Sequence, residues 1–146
     1  MSAEAAKSAF SVIKNYMADN GLAGESKGKI LLATVKGDIH DIGKNIVRVL
    51  LENYGYEVID LGKDVSHEKI LEETQKSGIK LVGLSALMTT TVDSMEEAIK
   101  LLKANCNCLI MVGGAVLTKE YAERIGADFY AKDAMEAVRY ANKIFQ

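Results

Sequence analysis

Short apolar runs alternate with longer stretches in which apolar positions recur every three or four residues, and the alternation repeats five times between Ile30 and Phe145. The runs Ile30–Val35, Glu57–Leu61, Leu81–Ser85, Cys108–Val112 and Asp128–Tyr130 are mostly continuous, the pattern of strands buried on both faces. Between them the period lengthens, predicting helices at about Ile42–Tyr54, Ser66–Ser77, Asp93–Ala104 and Thr118–Ile125, with a closing one at Asp133–Phe145. The punctuation agrees. Ser66 and Thr118 have N-capping side chains, Asp93 and Glu96 have capping-box spacing, and Gly55, Gly78 and Gly126 stand just past helix ends. Ahead of the first strand, Ala6, Phe10, Ile13 and Met17 at helical spacing predict an amphipathic helix over residues 3–18, stopped by Gly21.

Five strands alternating with helices imply an α/β fold with a parallel sheet covered on both faces and right-handed crossovers. The economical arrangement is the flavodoxin-like, Rossmann-like order 2-1-3-4-5, in which ligands bind beyond the carboxyl ends of the strands, at the switch between the first and third. At 146 residues the chain fits one such domain, here residues 29–146, preceded by a helix and linker at residues 1–28. A composition of 49% hydrophobic and 26% charged residues excludes a disordered or collagen-like chain. Eighteen basic against twenty acidic residues give a net charge of −2, which argues against nucleic acid or an anionic membrane as partner. No apolar run approaches the roughly 20 residues a bilayer needs, and no basic leader precedes one, so a cytoplasmic location is expected. Cys106 and Cys108 are too few for a disulfide framework; with no second pair to complete a metal site, they are expected to pack at the start of a strand.

The switch-point rule selects the loops that matter. The first strand runs into Lys36-Gly37-Asp38-Ile39-His40-Asp41-Ile42-Gly43-Lys44-Asn45. A carboxylate at Asp38, bonded to one imidazole nitrogen of His40, would fix the tautomer and raise the basicity of the other nitrogen, as a metal-ligating histidine requires. Gly37 permits a turn that a side chain would strain, and Gly43 permits close approach of a bulky ligand. The alternative is that Asp38 and Asp41 cap the next helix and His40 is a surface histidine. The third-strand loop, Ser85-Ala86-Leu87-Met88-Thr89-Thr90-Thr91, brings hydroxyls to the histidine's side, or else serves as a helix-capping stretch with Thr91 as N-cap. Gly113-Gly114 after the fourth strand opens a slot, or makes a tight turn. Together the three loops suit a large flat cofactor carrying a metal and a long tail. His67, after the Ser66 cap, is expected to be exposed, and Met88 and Met95 to fill space in the core. Lys44 and Asn45 fit either ligand contact or a helix surface.

Asp38-x-His40-x-x-Gly43, Ser85-x-Leu87 and Gly113-Gly114, in this order on a βα chain, resemble the cobalamin-binding domain of B12-dependent methyltransferases. The stretch KGDIHDIGKNIV at Lys36–Val47 is similar to cobalamin-dependent methionine synthase and its corrinoid-protein relatives, and the likeness covers about Lys29–Phe145. The resemblance implies that His40 replaces the cofactor's own benzimidazole as lower axial ligand of cobalt, with Asp38 behind it and Thr91, where relatives often have serine, completing the relay. It implies cofactor contacts along Gly37, Ile39, Asp41, Ile42 and Gly43, and corrin or tail contacts at Ser85 and Thr89. Leu87, Gly113 and Gly114 would line the slot for the displaced nucleotide tail, and Ala134 would add a further contact. Such a relay must hold a ligand that can also be released, because methylated cobalt favours axial ligation and the reduced, nucleophilic metal does not.

The implied role is to carry a methyl group on methylcobalamin, or a related corrinoid, between methyl-donor and methyl-acceptor methyltransferase domains or subunits, with a partner for reductive activation. Relatives place a helical cap before this fold, so the single predicted helix suggests an excised module, for example of a methionine synthase that methylates homocysteine, or a small corrinoid protein. The alternative within cobalamin chemistry is the small subunit of an adenosylcobalamin-dependent mutase. A phosphorelay receiver or flavin module would share the topology, but a receiver needs an acid where Ser85 stands. A flavodoxin-type phosphate loop would need more than Lys36-Gly37-Asp38 after the first strand.

Overall fold

The computed structural model describes residues 26–145; the helix expected over residues 3–18 lies outside them. The chain forms β1 (Lys29–Thr34), α1 (Ile42–Asn53), β2 (Glu57–Asp60), α2 (His67–Lys76), β3 (Leu81–Ser85), α3 (Thr89–Asn105), β4 (Leu109–Gly113), α4 (Lys119–Arg124), β5 (Phe129–Tyr130) and α5 (Ala134–Ile144). The strands are all parallel, in the order β2-β1-β3-β4-β5. This is the flavodoxin-like arrangement that the alternation predicts.

Side chains alternate across the pleat, and each strand therefore feeds two cores. Leu31, Ala33, Val35, Val82, Leu84, Ile110 and Val112 pack with α2, α3 and α4 on one face. Ile30, Leu32, Leu81 and Met111 pack with α1 and α5 on the other, where Tyr56, Leu51 and Ala141 close the layer. Across this second face, Leu32, Gly83 and Met111 lie in register as one row, and Thr34, Ser85 and Gly113 as the next row toward the carboxyl rim. The chain leaves β1 for β2 on one side and returns from β2 to β3 on the other, so the loops after β1 and β3 diverge and a crevice opens between them.

Helix ends follow the local chemistry. Ser66 Oγ accepts from the Lys69 N–H and Thr118 Oγ1 from the Tyr121 N–H, each at 3.2 Å. Gly55, Gly78 and Gly126 follow their helices at positive φ. The third helix departs from expectation: it begins at Thr89, four residues before Asp93, so Asp93 lies inside it and no cap forms there. Thr91 is its third residue instead of its N-cap, and its hydroxyl oxygen turns back to lie 2.9 Å from the Met88 carbonyl oxygen. The run of threonines reads locally as a cap; the packing of Val92 and Met95 beneath the sheet carries the helix through it.

His67 is also placed differently. Only 15% of its side chain is exposed, and Nε2 lies 3.0 Å from Glu97 Oε2 on α3, a pairing between α2 and α3 that spacing along the chain cannot show. Cys108 is buried beside β4 and Cys106 is half-buried; burial pushes both thiols up from the ordinary cysteine range. Met95 is fully buried in the α3 face. Met95→Ala is expected to cost about 2–5 kcal/mol through the cavity it leaves, measured by urea unfolding, because no part of it reaches the crevice.

Candidate functional site

Asp38 is where the loops after β1 and β3 meet. The residue is 0% exposed and each of its polar atoms has a partner. Its N–H donates to the Val35 carbonyl at 3.0 Å, and its carbonyl accepts from the Asp64 N–H at 2.9 Å. Oδ1 accepts from the His40 N–H at 2.9 Å and lies 2.7 Å from His40 Nδ1. Oδ2 accepts from the Leu87 N–H at 2.7 Å and from the Thr91 hydroxyl at 2.8 Å. Burial works to raise the carboxyl's pKa, but these hydrogen bonds, that of Leu87 foremost, outweigh it and hold the group well below the usual carboxylate range. Asp38 is therefore ionised at neutral pH. An ionised carboxylate offers acceptors only, so Nδ1 of His40 carries the proton, and in the neutral ring Nε2 keeps its lone pair.

The turn that makes this contact depends on backbone as much as on side chains. Gly37 stands at φ +88°, a conformation that an L side chain strains to adopt, although a Cβ there would meet only a methyl group at 3.5 Å. Its N–H donates to Asp64 Oδ1 at 2.8 Å from the loop between β2 and α2. Asp64 itself has φ +53°, which costs an L residue roughly 1–2 kcal/mol. Next to it, Val65 pairs with Val35 in an isolated parallel bridge and donates to the Thr34 carbonyl at 3.0 Å. The buried Thr34 hydroxyl in turn donates to the His40 carbonyl at 3.4 Å.

A cleft of about 550 Å³ opens beside His40 at the carboxyl rim and runs down between α1 and α5 to the sheet. Small residues shape it. Gly83 occupies the middle of its floor between Leu32 and Met111, where a Cβ would come within 2.5 Å of Leu32 Cδ2. Gly114, at φ +144°, lies so close to the Ala86 carbonyl that a Cβ would reach 1.7 Å from its oxygen. Gly43 has nothing within 4 Å of a notional Cβ, so a side chain there would stand in the cleft. Around the mouth the surface is apolar and open: Ile39 is 64% exposed, Ile42 78% and Leu87 38%.

The expected site residues divide by position. Ile39, His40, Asp41, Ile42, Gly43, Ser85, Leu87, Gly113, Gly114 and Ala134 all line the cleft. Asp38 and Thr91 are buried behind His40, and Gly37 makes the turn at the surface. Thr89 stands exposed on the first turn of α3, outside the cleft lining. Asp41 precedes α1 without a side-chain capping bond, so helix capping does not account for it. Lys44 is buried and ion-paired with Asp60 at the cleft wall, with Arg48 Nε 3.4 Å from the same carboxylate. Sequence reasoning missed the floor row, Val47 and Ala137 on the facing helices, and Lys132 at the far rim. One signal was available: Gly83 is a glycine inside an apolar strand, which marks a close approach.

Among the described residues no cluster of three or more histidine, cysteine, aspartate or glutamate side chains is arranged to hold a metal ion. A lone imidazole does not retain a free metal, but it can fill one axial place on a metal already held by a macrocycle. The single imidazole, the open apolar mouth and the slot with a glycine in its floor fit a corrinoid, a metal-bearing ring with a long tail.

Comparison with known proteins agrees. The chain matches the B12 binding domain family over residues 28–139, and it belongs to that family. Cobalamin is its cofactor. It is 45% identical over 148 aligned positions to a corrinoid protein of Desulfitobacterium hafniense (strain Y51), covering 99% of this chain and 68% of that protein. It is 41% identical to dimethylamine corrinoid protein 1 of Methanosarcina acetivorans, covering 99% of this chain and 68% of the relative. A chain of the methanol:cobalamin methyltransferase complex from Methanosarcina barkeri superposes with TM-score 0.80 at 28% identity, covering 93% of this chain and 63% of that one. The chain thus spans about two thirds of the length of the proteins it resembles. No helix among the described residues is long and apolar enough to cross a membrane.

The depressed pKa of Asp38 makes a prediction about acid stability. A carboxyl whose folded pKa lies below its unfolded value of about 3.9 contributes its full stabilisation above roughly pH 5 and loses it as pH falls toward the folded pKa. Asp38→Asn is expected to cost about 2 kcal/mol at pH 7 and distinctly less at pH 3, read from urea unfolding at both pH values.

Proposed function

We propose that this domain binds a corrinoid with His40 as a ligand to cobalt and carries a methyl group between two methyltransferase partners. The observation that supports this most directly is the 2.7 Å contact of His40 Nδ1 with the buried, ionised Asp38, on a ring whose side chain is 45% exposed at the mouth of a cofactor-sized cleft. Bound cobalamin supplies a cobalt centre that accepts a methyl group and gives it up again.

The protein's own residues would do the rest. Asp38 fixes His40 in the tautomer that directs an Nε2 lone pair outward, and its negative charge makes that nitrogen a stronger donor. Thr91 and the Leu87 N–H keep the carboxylate ionised and oriented, so the imidazole does not have to be aligned anew at each turnover. When Nε2 is not bound to metal it would be free to hold a proton, with Asp38 already in place beside Nδ1. His40 would thus couple ligand release to proton uptake. Ile39, Ile42 and Leu87 would support the ring, and Ser85, Gly83, Gly113, Gly114 and Ala134 would admit the nucleotide tail into the slot.

Relatives named for dimethylamine and methanol systems favour methyl transfer over radical isomerisation. They also favour a small methylated donor, foremost a methylated amine, over a role as a methionine synthase module. The partners would be a donor-side methyltransferase, an acceptor-side methyltransferase and a protein that restores the reduced corrinoid.

Protein reconstituted with methylcobalamin is expected to show the absorption spectrum of histidine-ligated cobalt. His40→Ala should keep measurable corrinoid affinity through the slot but lose that spectrum, and an unchanged spectrum in the variant would overturn the ligand assignment.

A further inference from the structure

Asp64 lies outside the cleft, on the loop between β2 and α2, yet it grips the turn that carries the Asp38–His40 pair from the opposite side. Its carboxylate accepts from the Gly37 N–H at 2.8 Å, and its own N–H donates to the Asp38 carbonyl at 2.9 Å. The two bonds bracket Gly37 and Asp38, the residues whose backbone angles decide where the Asp38 carboxylate sits. Gly37, at φ +88°, has the widest conformational freedom of any residue in that loop and so the most to lose from an unfilled hydrogen bond. Asp64 holds its own position at φ +53°. A glycine would adopt that angle more easily but would have no oxygen to offer Gly37.

We propose that Asp64 is a positioning residue for the cofactor site: by clamping the Gly37–Asp38 turn from the β2–α2 loop, it sets the hydrogen bond between Asp38 and His40 Nδ1 and so the readiness of His40 Nε2 to act as a ligand. The inference rests on the reading of His40 given above, and it adds a fifth segment to a site otherwise built from the loops after β1, β3 and β4 and the start of α5. Asp64 touches neither the cleft nor His40. Its effect passes through the backbone of two residues.

Asp64→Gly and Asp64→Asn separate this role from a merely structural one. Glycine relieves the positive φ and deletes the acceptor; asparagine tolerates the same φ and keeps a side-chain oxygen for Gly37. With methylcobalamin, Asp64→Gly is expected to retain or exceed the thermal stability of the parent protein, lose most of the histidine-ligated spectrum and bind about tenfold more weakly, the low end for a group acting behind a metal ligand. Asp64→Asn should restore both spectrum and affinity. A second measurement needs no cofactor: nitrogen chemical shifts of His40 in the apo protein should show the Nδ1–H tautomer in the parent and in Asp64→Asn, and a mixture of tautomers in Asp64→Gly. A fully histidine-ligated spectrum together with a pure Nδ1–H tautomer in Asp64→Gly overturns the proposal, as does failure of Asp64→Asn to rescue. If the parent itself lacks the histidine-ligated spectrum, the reading of His40 as ligand falls, and the tautomer comparison alone decides the role of Asp64.

Discussion

A buried carboxylate that is fully hydrogen-bonded organises this protein. Taking Asp38 out of water would be prohibitive if it were left unpaired, and the fold meets that requirement by directing a backbone N–H from the β3 loop, a hydroxyl from α3, and both an N–H and a ring nitrogen from His40 at its two oxygens. These partners come from segments up to 53 residues apart in sequence. Satisfying Asp38 therefore ties the carboxyl ends of β1 and β3 together at the place where the strand order reverses. The same bonds that stabilise the carboxylate also leave one histidine nitrogen facing the cleft.

The second constraint is absence of side-chain volume. A doubly wound sheet ordinarily fills the space between its strands and the covering helices, as the α2–α3–α4 face does here with Met95, Ile99 and Leu102. On the α1–α5 face the packing is interrupted near the carboxyl rim. Ser85 and Gly113 follow Gly83 on the same side of the sheet, and Gly43, Ala134 and Ala137 face them from the helices. Below that level Leu81, Leu51 and Tyr56 restore close packing. Stability is thus concentrated at the amino end of the strands, and the carboxyl end is left open for a ligand.

The family relationship and the geometry explain each other at this site. The chain belongs to the B12-binding domain family, and its cleft has an imidazole at the mouth and a glycine in the floor, the two features on which the proposed seating of the cofactor's metal and tail rests. Lys44, buried and paired with the half-buried Asp60, forms part of the cleft wall along α1. With Arg48 on the other oxygen of Asp60, the cluster keeps a charged side chain compatible with a largely apolar slot.

The order of strands and helices, the Ser66 and Thr118 caps and the loops that form the cleft were all legible in the sequence. They depend on local periodicity and on residues whose backbone preferences are strong, and the switch-point rule then turns element order into a location. His40, Asp38, Gly113 and Gly114 could be singled out because function places unusual residue types at that location. Tertiary structure alone decided the start of α3, the partial burial of His67, the burial of Lys44, and the bond between Asp64 and Gly37. Each of these turns on a partner distant in the chain: core packing under Val92 and Met95, Glu97 across two helices, Asp60 sixteen residues on, and Gly37 across a neighbouring loop. Periodicity reports which face of an element is apolar; it carries no information about which remote polar group will arrive to satisfy a charge, because that is fixed only when the sheet brings the loops together.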